Sequence, residues 1–202
     1  MIASGTRLGP SKVVHLVRPL PTGPLYVDAG VVAGSGDAIA FSAPSSEAAA
    51  MMLIGQAARI AQALPTEADV VRIVGEGILA QLVREALKLP RSATAQRPKA
   101  IVDTTGRACV RQMALQDLSE RGTLVLAAPP QGGDWEFDTY PDLHGRGLTV
   151  VGVPLDPSEP LSEGGDGAVL DDVIANLVTC AEGQKVPPGT LWCRIEPAES
   201  PS

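Results

Sequence analysis

Val70-Val71-Arg72-Ile73-Val74-Gly75-Glu76-Gly77-Ile78-Leu79-Ala80-Gln81-Leu82-Val83-Arg84-Glu85-Ala86-Leu87 is the stretch that decides the fold. Residues 70–74 are β-branched and apolar apart from Arg72, the composition of a short strand covered on both faces. From Ile78 the period changes. Ile78, Leu82 and Ala86, and beside them Leu79, Val83 and Leu87, recur at i, i+4 and give a helix one apolar face. Between strand and helix stands Gly75-Glu76-Gly77, so the junction reads Gly-x-Gly-x-x-Ala through Ala80.

Outward from this unit the alternation continues. Residues 100–103 (AIVD), 123–128 (TLVLAA) and 148–153 (LTVVGV) read as strands. A helix is expected over 107–118, with Val110, Ala114 and Leu118 on one side. Leu170, Val173, Ile174, Leu177, Val178 and Ala181 have the spacing of one amphipathic helix, followed by a last strand at 190–195. Upstream, Pro44-Ser45-Ser46-Glu47 opens a helix that Pro65 stops: a serine cap followed by an acid suits the positive helix end. Residues 12–18, 25–34 and 38–42 are short strand candidates bounded by Pro and Gly. The expected fold is therefore α/β: a Rossmann-like parallel sheet, shortened on one edge, preceded by a small N-terminal β lobe. The lobe is placed at 1–43 and the Rossmann-like domain at 44–202. The strands at 70–74, 100–103, 123–128 and 148–153 are expected side by side in sequence order.

Composition narrows the function. The chain has 202 residues, 45% hydrophobic and 19% charged, enough for one packed core or a core with a small extra lobe. A net charge of −7 argues against a nucleic-acid or polybasic membrane surface. No apolar run reaches the ~18–20 residues of a membrane helix, and residues 1–10 lack a signal-peptide core, so a cytoplasmic protein is expected. The three cysteines, Cys109, Cys180 and Cys193, are far apart, and the two histidines, His15 and His144, belong to no ligand cluster. Neither a disulfide framework nor a zinc lobe is expected, and no metal site.

The chemistry of the glycine turn is specific. Gly75 allows the tight turn, Gly77 lets a pyrophosphate approach the backbone, and Ala80 lets helix and strand pack closely. The free N–H groups from Ile78 onward, with the helix dipole, attract phosphate. Gly75, Gly77 and Ile78 are thus candidate cofactor-binding residues for a dinucleotide, with a bare packing turn as the alternative. Two features oppose this. Glu76 puts a carboxylate in the loop. The acid expected ~20 residues on to hold the adenosine ribose is absent, since 86–102 contains no Asp or Glu. The span from Gly77 to Val102 holds one helix and one short connection, with no room for a second strand–helix–strand passage. Arg91, Arg97 and Lys99 stand where a 2′-phosphate could bind, or form a plain exposed basic loop.

Asp103-Thr104-Thr105-Gly106 falls at the carboxyl end of a strand, where α/β sheets bind ligands. Ala127 and Ala128, and Gly152 and Val153, end the next strands on the same rim. Tyr140 and His144 are the weak catalytic candidates, the one neutral-pH acid–base pair in the sequence, with surface loop residues as the alternative. Cys109 is read as a buried inert cysteine. Trp135 and Phe137 line an apolar pocket or cap the sheet edge, and residues 156–166 read as an acidic solvated loop.

Taken in order, these segments resemble the nucleotide-binding half of the medium-chain dehydrogenases/reductases, the alcohol dehydrogenase superfamily. The resemblance is carried by the helix entry PSSEAAA at 44–50, the strand–glycine turn–helix at 70–87, the stretch KAIVDTTGRACVRQMALQDLSERGTLVLAAP at 99–129, and YPDLHGRGLTVVGV at 140–153. A helix near 168–182 followed by a terminal strand also fits. The resemblance implies an NAD(P) cofactor, weakly bound here, with Thr104 and Thr105 lining its cleft and Gly152 beside the nicotinamide. It implies a truncated or repurposed member, because the catalytic β-domain and the zinc-ligating positions have no counterpart. The expected activity is a zinc-independent NAD(P)-dependent oxidoreductase acting on a small molecule. The alternative is a non-redox scaffold: a pseudoenzyme, a partner subunit, or an enzyme using the cleft without nicotinamide. Loss of a lobe and a sheet edge predicts a homodimer, which the resemblance places at 191–195; a hetero-partner supplying the missing lobe is the variant.

Overall fold

The structure is a computed structural model that describes residues 6–8, 14–16, 25–28, 37–38, 40–89, 96–128, 135–136, 138–153, 167–181 and 190–196. In chain order its elements are β1 (Thr6–Leu8), β2 (Val14–Leu16), β3 (Leu25–Asp28), β4 (Asp37–Ala38), β5 (Ala40–Ser42) and α1 (Ser46–Gln62). Then come β6 (Val71–Val74), α2 (Ile78–Ala86), β7 (Ala100–Asp103), α3 (Ala108–Asp117) and β8 (Thr123–Leu126). A π-helical turn (Thr139–His144), β9 (Thr149–Gly152), α4 (Gly167–Ala175), β10 (Leu177–Ala181) and β11 (Trp192–Glu196) complete it. Two compact units result: Met1–Gly55 with Glu76–Ile78 and Pro157–Ser202, and Gln56–Gly75 with Leu79–Asp156.

The second unit holds the expected parallel sheet. Its order is β6-β7-β8-β9, every pair parallel, with Val71 opposite Ala100, Ala100 opposite Thr123 and Thr123 opposite Thr149. All four residues of β7 are buried, as a strand covered on both faces requires, whereas β6 and β9 are only partly covered. Ile101 and Leu124 pack with Ala114, Leu115 and Leu118 of α3, and Val74, Leu126, Trp135, Leu143, Leu148 and Val150 close the cluster. Each fully buried leucine or isoleucine here contributes about 1.5–3 kcal/mol.

The first unit carries a four-stranded sheet, β10-β11-β3-β5, and the small antiparallel sheet β2-β1-β4. β10 and β11 are parallel, and β3 runs antiparallel to both β11 and β5. Against a division at 1–43 and 44–202, strands from both sides of residue 43 share this sheet. Tyr26 and Trp192 stack at 5.8 Å, and Trp192 Nε1 donates to the Val173 carbonyl at 2.9 Å. β11 is hydrogen-bonded on both sides, so residues 191–195 are not a free edge for a second copy.

One expected element is corrected. The helix read through Ala181 ends at Ala175, and residues 177–181 form β10. Leu177, Val178 and Ala181 fit the helical period by chance, but Val178 and Thr179 are β-branched and Trp192–Glu196 offers a strand to pair with. Asn176 marks the switch: its backbone N–H and its side-chain Nδ2 both donate to the Asp172 carbonyl. The start of α1 is as expected. Ser45 Oγ accepts the Ala48 N–H at 3.2 Å, and hydrogen bonds from the Glu47 backbone and Ser45 hold the exposed Glu47 carboxyl below its ordinary pKa of 4.5.

Candidate functional site: the carboxyl rim of the parallel sheet

The four parallel strands end on one rim, and each strand end is tied to the next. The Thr104 N–H donates to the Val74 carbonyl at 3.0 Å, the Ala127 N–H to Asp103 at 2.9 Å, and the Val153 N–H to Leu126 at 3.0 Å. α1 closes the series. Gln56, wholly buried, donates from Nε2 to the Val153 carbonyl at 2.8 Å, and Arg59 holds the Gln56 amide oxygen at 2.9 Å.

Gly75 begins the rim. Its φ is +131°, and a Cβ there would lie 2.0 Å from Thr104 Oγ1. Glycine is required twice, by the backbone angle and by the approach of the neighbouring strand end. Thr104 Oγ1 fills that space and donates to the Val74 carbonyl at 2.9 Å. Gly77 and Ile78 are both buried at the entry to α2, and fall with the first compact unit. At the other end of the rim, a Cβ on Gly152 would meet nothing within 4 Å.

The centre of the rim is an ion pair that sequence reading missed. Asp103 and Arg111 are both buried, with Arg111 Nε 3.0 Å from Asp103 Oδ2. Asp103 Oδ1 accepts from Thr105 N–H at 2.8 Å, Thr105 Oγ1 at 2.6 Å and Gly106 N–H at 3.2 Å. Arg111 Nη2 donates to the Ala128 carbonyl at 2.8 Å, and its guanidinium lies 5.7 Å from the Trp135 ring centroid, a cation–π distance. Asp103 therefore shapes the Thr104–Gly106 turn, and Arg111 ties the ends of β7 and β8 together. The signal was legible in principle. Arg111 stands three, four and seven residues before Ala114, Leu115 and Leu118, the one charged position on the buried face of α3.

The structure thus brings Gly75, Thr104, Thr105, Ala127, Ala128, Gly152 and Val153 to one rim. It does not bring Tyr140 and His144 there. Their rings lie 5.7 Å apart, both exposed, in the π-helical turn that feeds the amino end of β9. That turn is held at the opposite end of the sheet: Arg146 donates to the Leu115 and Leu118 carbonyls, and the Arg121 N–H to Arg146. Beside it, Glu136, Asp138, Thr139 and Asp142 line a shallow hollow of about 500 Å³.

Arg97 and Lys99 are corrected as phosphate-binding candidates. Both are exposed and lead into the amino end of β7, where the Lys99 N–H donates to the Val70 carbonyl, so they are remote from Gly75 along the strands. Arg91, Phe137 and residues 156–166 lie outside the described residues. Among the described residues, Arg84 of α2 is a cation that reaches the glycine turn: its Nη2 donates to the Gly75 carbonyl at 2.8 Å and lies 3.5 Å from that of Ile73.

The cysteines divide between the two units. Cys109, expected buried, is exposed on α3, whose buried face is taken by Arg111, Ala114 and Leu115. Cys180 and Cys193 are buried on the neighbouring strands β10 and β11, and burial pushes the Cys180 thiol above its ordinary pKa of 9.0. Among the described residues, no three His, Cys, Asp or Glu side chains group as a metal site, and no helix is long and apolar enough to cross a membrane.

No protein-family model matches the chain, and no curated protein matches its sequence. Solved structures do match in fold. One, from Sinorhizobium meliloti 1021, is assigned as a zinc-binding dehydrogenase and was solved bound to NADP: TM-score 0.52, 15% identity, 78% of this chain and 62% of that one. L-idonate 5-dehydrogenase from Escherichia coli str. K-12 substr. MG1655 matches with a TM-score of 0.50 at 15% identity, over 79% of this chain and 60% of that one. The chain spans about three fifths of the length of these structures. At this identity the likeness is one of fold: the chain has the α/β fold of these dehydrogenases, and its resemblance to the medium-chain dehydrogenases/reductases stands at that level.

Proposed function

We propose that the chain is an oxidoreductase-like protein of the medium-chain dehydrogenase/reductase type that binds NAD(P) and acts without zinc on a small molecule. The observation that carries this reading is Gly75, whose positive φ and contact with Thr104 form a glycine turn at the carboxyl end of a parallel strand, directly before a helix. This is where a pyrophosphate meets free N–H groups and a helix dipole. Gly75, Gly77 and Ile78 would hold the pyrophosphate. Thr104, Thr105, Ala127 and Gly152 would line the rest of the cleft, and Gly152 has free space on the side a side chain would take. When bound, the cofactor supplies hydride chemistry.

The residues 86–102 supply no acid for the adenosine ribose. Loss of one charge-assisted hydrogen bond costs about 1.5–3 kcal/mol, roughly ten- to hundredfold in affinity, so a Kd of tens to hundreds of micromolar is expected. Calorimetric titration with NADH and NADPH tests this. Gly77→Val should abolish binding of either, because the side chain occupies the space of the phosphate. No heat with either nucleotide at millimolar concentration overturns the reading.

A second reading is a non-redox scaffold on the same fold. It is favoured by the place of the acid–base candidates Tyr140 and His144, at the amino end of the sheet, and by the commitment of Asp103, on the rim, to Arg111 and its own turn. Homodimer formation belongs to either reading, and β11, paired on both sides, offers it no free strand edge. Light scattering across micromolar concentrations tests it, and a monomer throughout excludes it.

A further inference from the structure

The sequence between Gly77 and Val102 lacks the second strand that a complete nucleotide-binding half would place beside β6, and among the described residues β6 pairs with β7 alone. The backbone shows what stands on the other side. In β6 the carbonyls alternate. Those of Val70 and Val74 face β7, where Lys99, Ala100 and Thr104 N–H groups reach them. The Ile73 carbonyl therefore points to the outer edge, and Arg84 Nη2 lies 3.5 Å from it while bonding Gly75 at 2.8 Å. The guanidinium sits on the outer edge of β6 at its carboxyl end, against the glycine turn.

That is the position at which a dinucleotide's adenosine ribose would approach. An acid there favours a free 2′-hydroxyl and repels a 2′-phosphate; a guanidinium does the reverse. The charge is available. Both described bonds use Nη2, which leaves Nε and Nη1 free to donate. Among the described residues no carboxylate pairs with Arg84. The nearest acid on its own helix, Glu85, is engaged by Gln81 at 2.9 Å. The two carbonyl contacts fix the guanidinium in place, so a phosphate would meet a positioned group.

We propose that Arg84 is the specificity-determining residue of this site and selects a nucleotide bearing a 2′-phosphate on its adenosine ribose over one without it. The inference rests on the NAD(P)-binding reading above. It departs from the sequence expectation, because Arg97 and Lys99 lie at the other end of the strands.

The experiment titrates the full chain with NADPH and NADH, and separately with 2′,5′-ADP and 5′-AMP, at low and at high salt. Wild type should bind NADPH and 2′,5′-ADP at least tenfold more tightly than their unphosphorylated counterparts at low salt, and the advantage should shrink as salt rises. Arg84→Met should bring the ratio of NADPH to NADH affinity to within about twofold of one, whatever loss of the Gly75 bond costs both nucleotides alike. Arg84→Lys, a point charge without the fork, should keep part of it. Arg84→Gln replaces Arg84→Met if the latter does not fold, and the wild-type comparison of 2′,5′-ADP with 5′-AMP tests the 2′-phosphate preference without any variant. Equal binding of the two members of each pair by wild type overturns the assignment while leaving nucleotide binding intact. So does an equal loss for NADPH and NADH in Arg84→Met, which would mark a purely structural role. Absence of binding by all four compounds at millimolar concentration overturns the nucleotide reading itself, and this assignment with it.

Discussion

Replacing Arg111 by methionine keeps the length of the side chain and removes its charge, which isolates the role of the ion pair under the rim. In the native chain Asp103 is wholly buried and Arg111 nearly so, and the guanidinium bonds both the Asp103 carboxylate and the Ala128 carbonyl. Arg111→Met leaves the carboxylate with its three turn donors and no countercharge. Breaking a buried pair from one side costs about 3–5 kcal/mol, because the remaining charge is stranded. In a chain of this size each kcal/mol moves Tm by about 2–4 °C, so a loss of roughly 6–20 °C is expected. Asp103→Asn combined with Arg111→Met removes the stranded charge and keeps an acceptor for Thr105 and Gly106. The double variant should recover about 1–3 kcal/mol of the cost expected from adding the single effects. Urea unfolding of the four proteins, followed by circular dichroism, measures the cycle. An Arg111→Met loss below about 1 kcal/mol, or strictly additive effects, would refute the account of the pair.

Three further outcomes follow from the rim and the buried thiols. Gly75→Ala should destabilise by more than about 3 kcal/mol, since it combines a forbidden φ with a Cβ 2.0 Å from Thr104 Oγ1; adding Thr104→Ala should return part of the loss in thermal melts. Gly152→Ala should leave stability within about 0.5 kcal/mol, because its Cβ meets nothing, and should weaken NAD(P) binding in calorimetry if the cleft is used as proposed. Against a thiol reagent at neutral pH, Cys109 should react at once and Cys180 and Cys193 only on unfolding; fast modification of all three would contradict their burial, and Cys180 should stay a thiol beyond pH 9.0.

The four parallel strands were legible because each is a short, mostly apolar β-branched run bounded by turn residues, a mark clearest in β7, which is buried throughout. The cap at Ser45 was legible for the same local reason. What escaped was set by long-range pairing. Leu177–Ala181 satisfies a helical spacing and a strand composition at once, and only Trp192–Glu196 decides between them. β1 went unread because three residues carry no period at all. At the site, the glycine turn and the strand-end residues were found from their place along the chain. Arg84, Gln56 and Arg111 were not, since their importance comes from carbonyl and carboxylate partners that sequence distance hides: Gln56 meets Val153 and Arg111 meets Ala128. Tyr140 and His144 drew attention by residue type, yet they precede their strand where the rim residues follow theirs.

The sheet that joins the two ends of the chain sets an order on synthesis. Leu25 finds its partner in Ile195, and Asp28 in Trp192. On a ribosome, β3 waits for about 170 further residues, roughly 10–35 seconds at ordinary elongation speed, before β11 emerges. The parallel sheet from β6 to β9 needs no segment beyond residue 152 for its strand pairing. It can therefore assemble while β3 still lacks β11. Tyr26 would spend that interval without the indole against which it finally stacks, so β3 stands open to chaperones and to mispairing along the edge that β11 later covers.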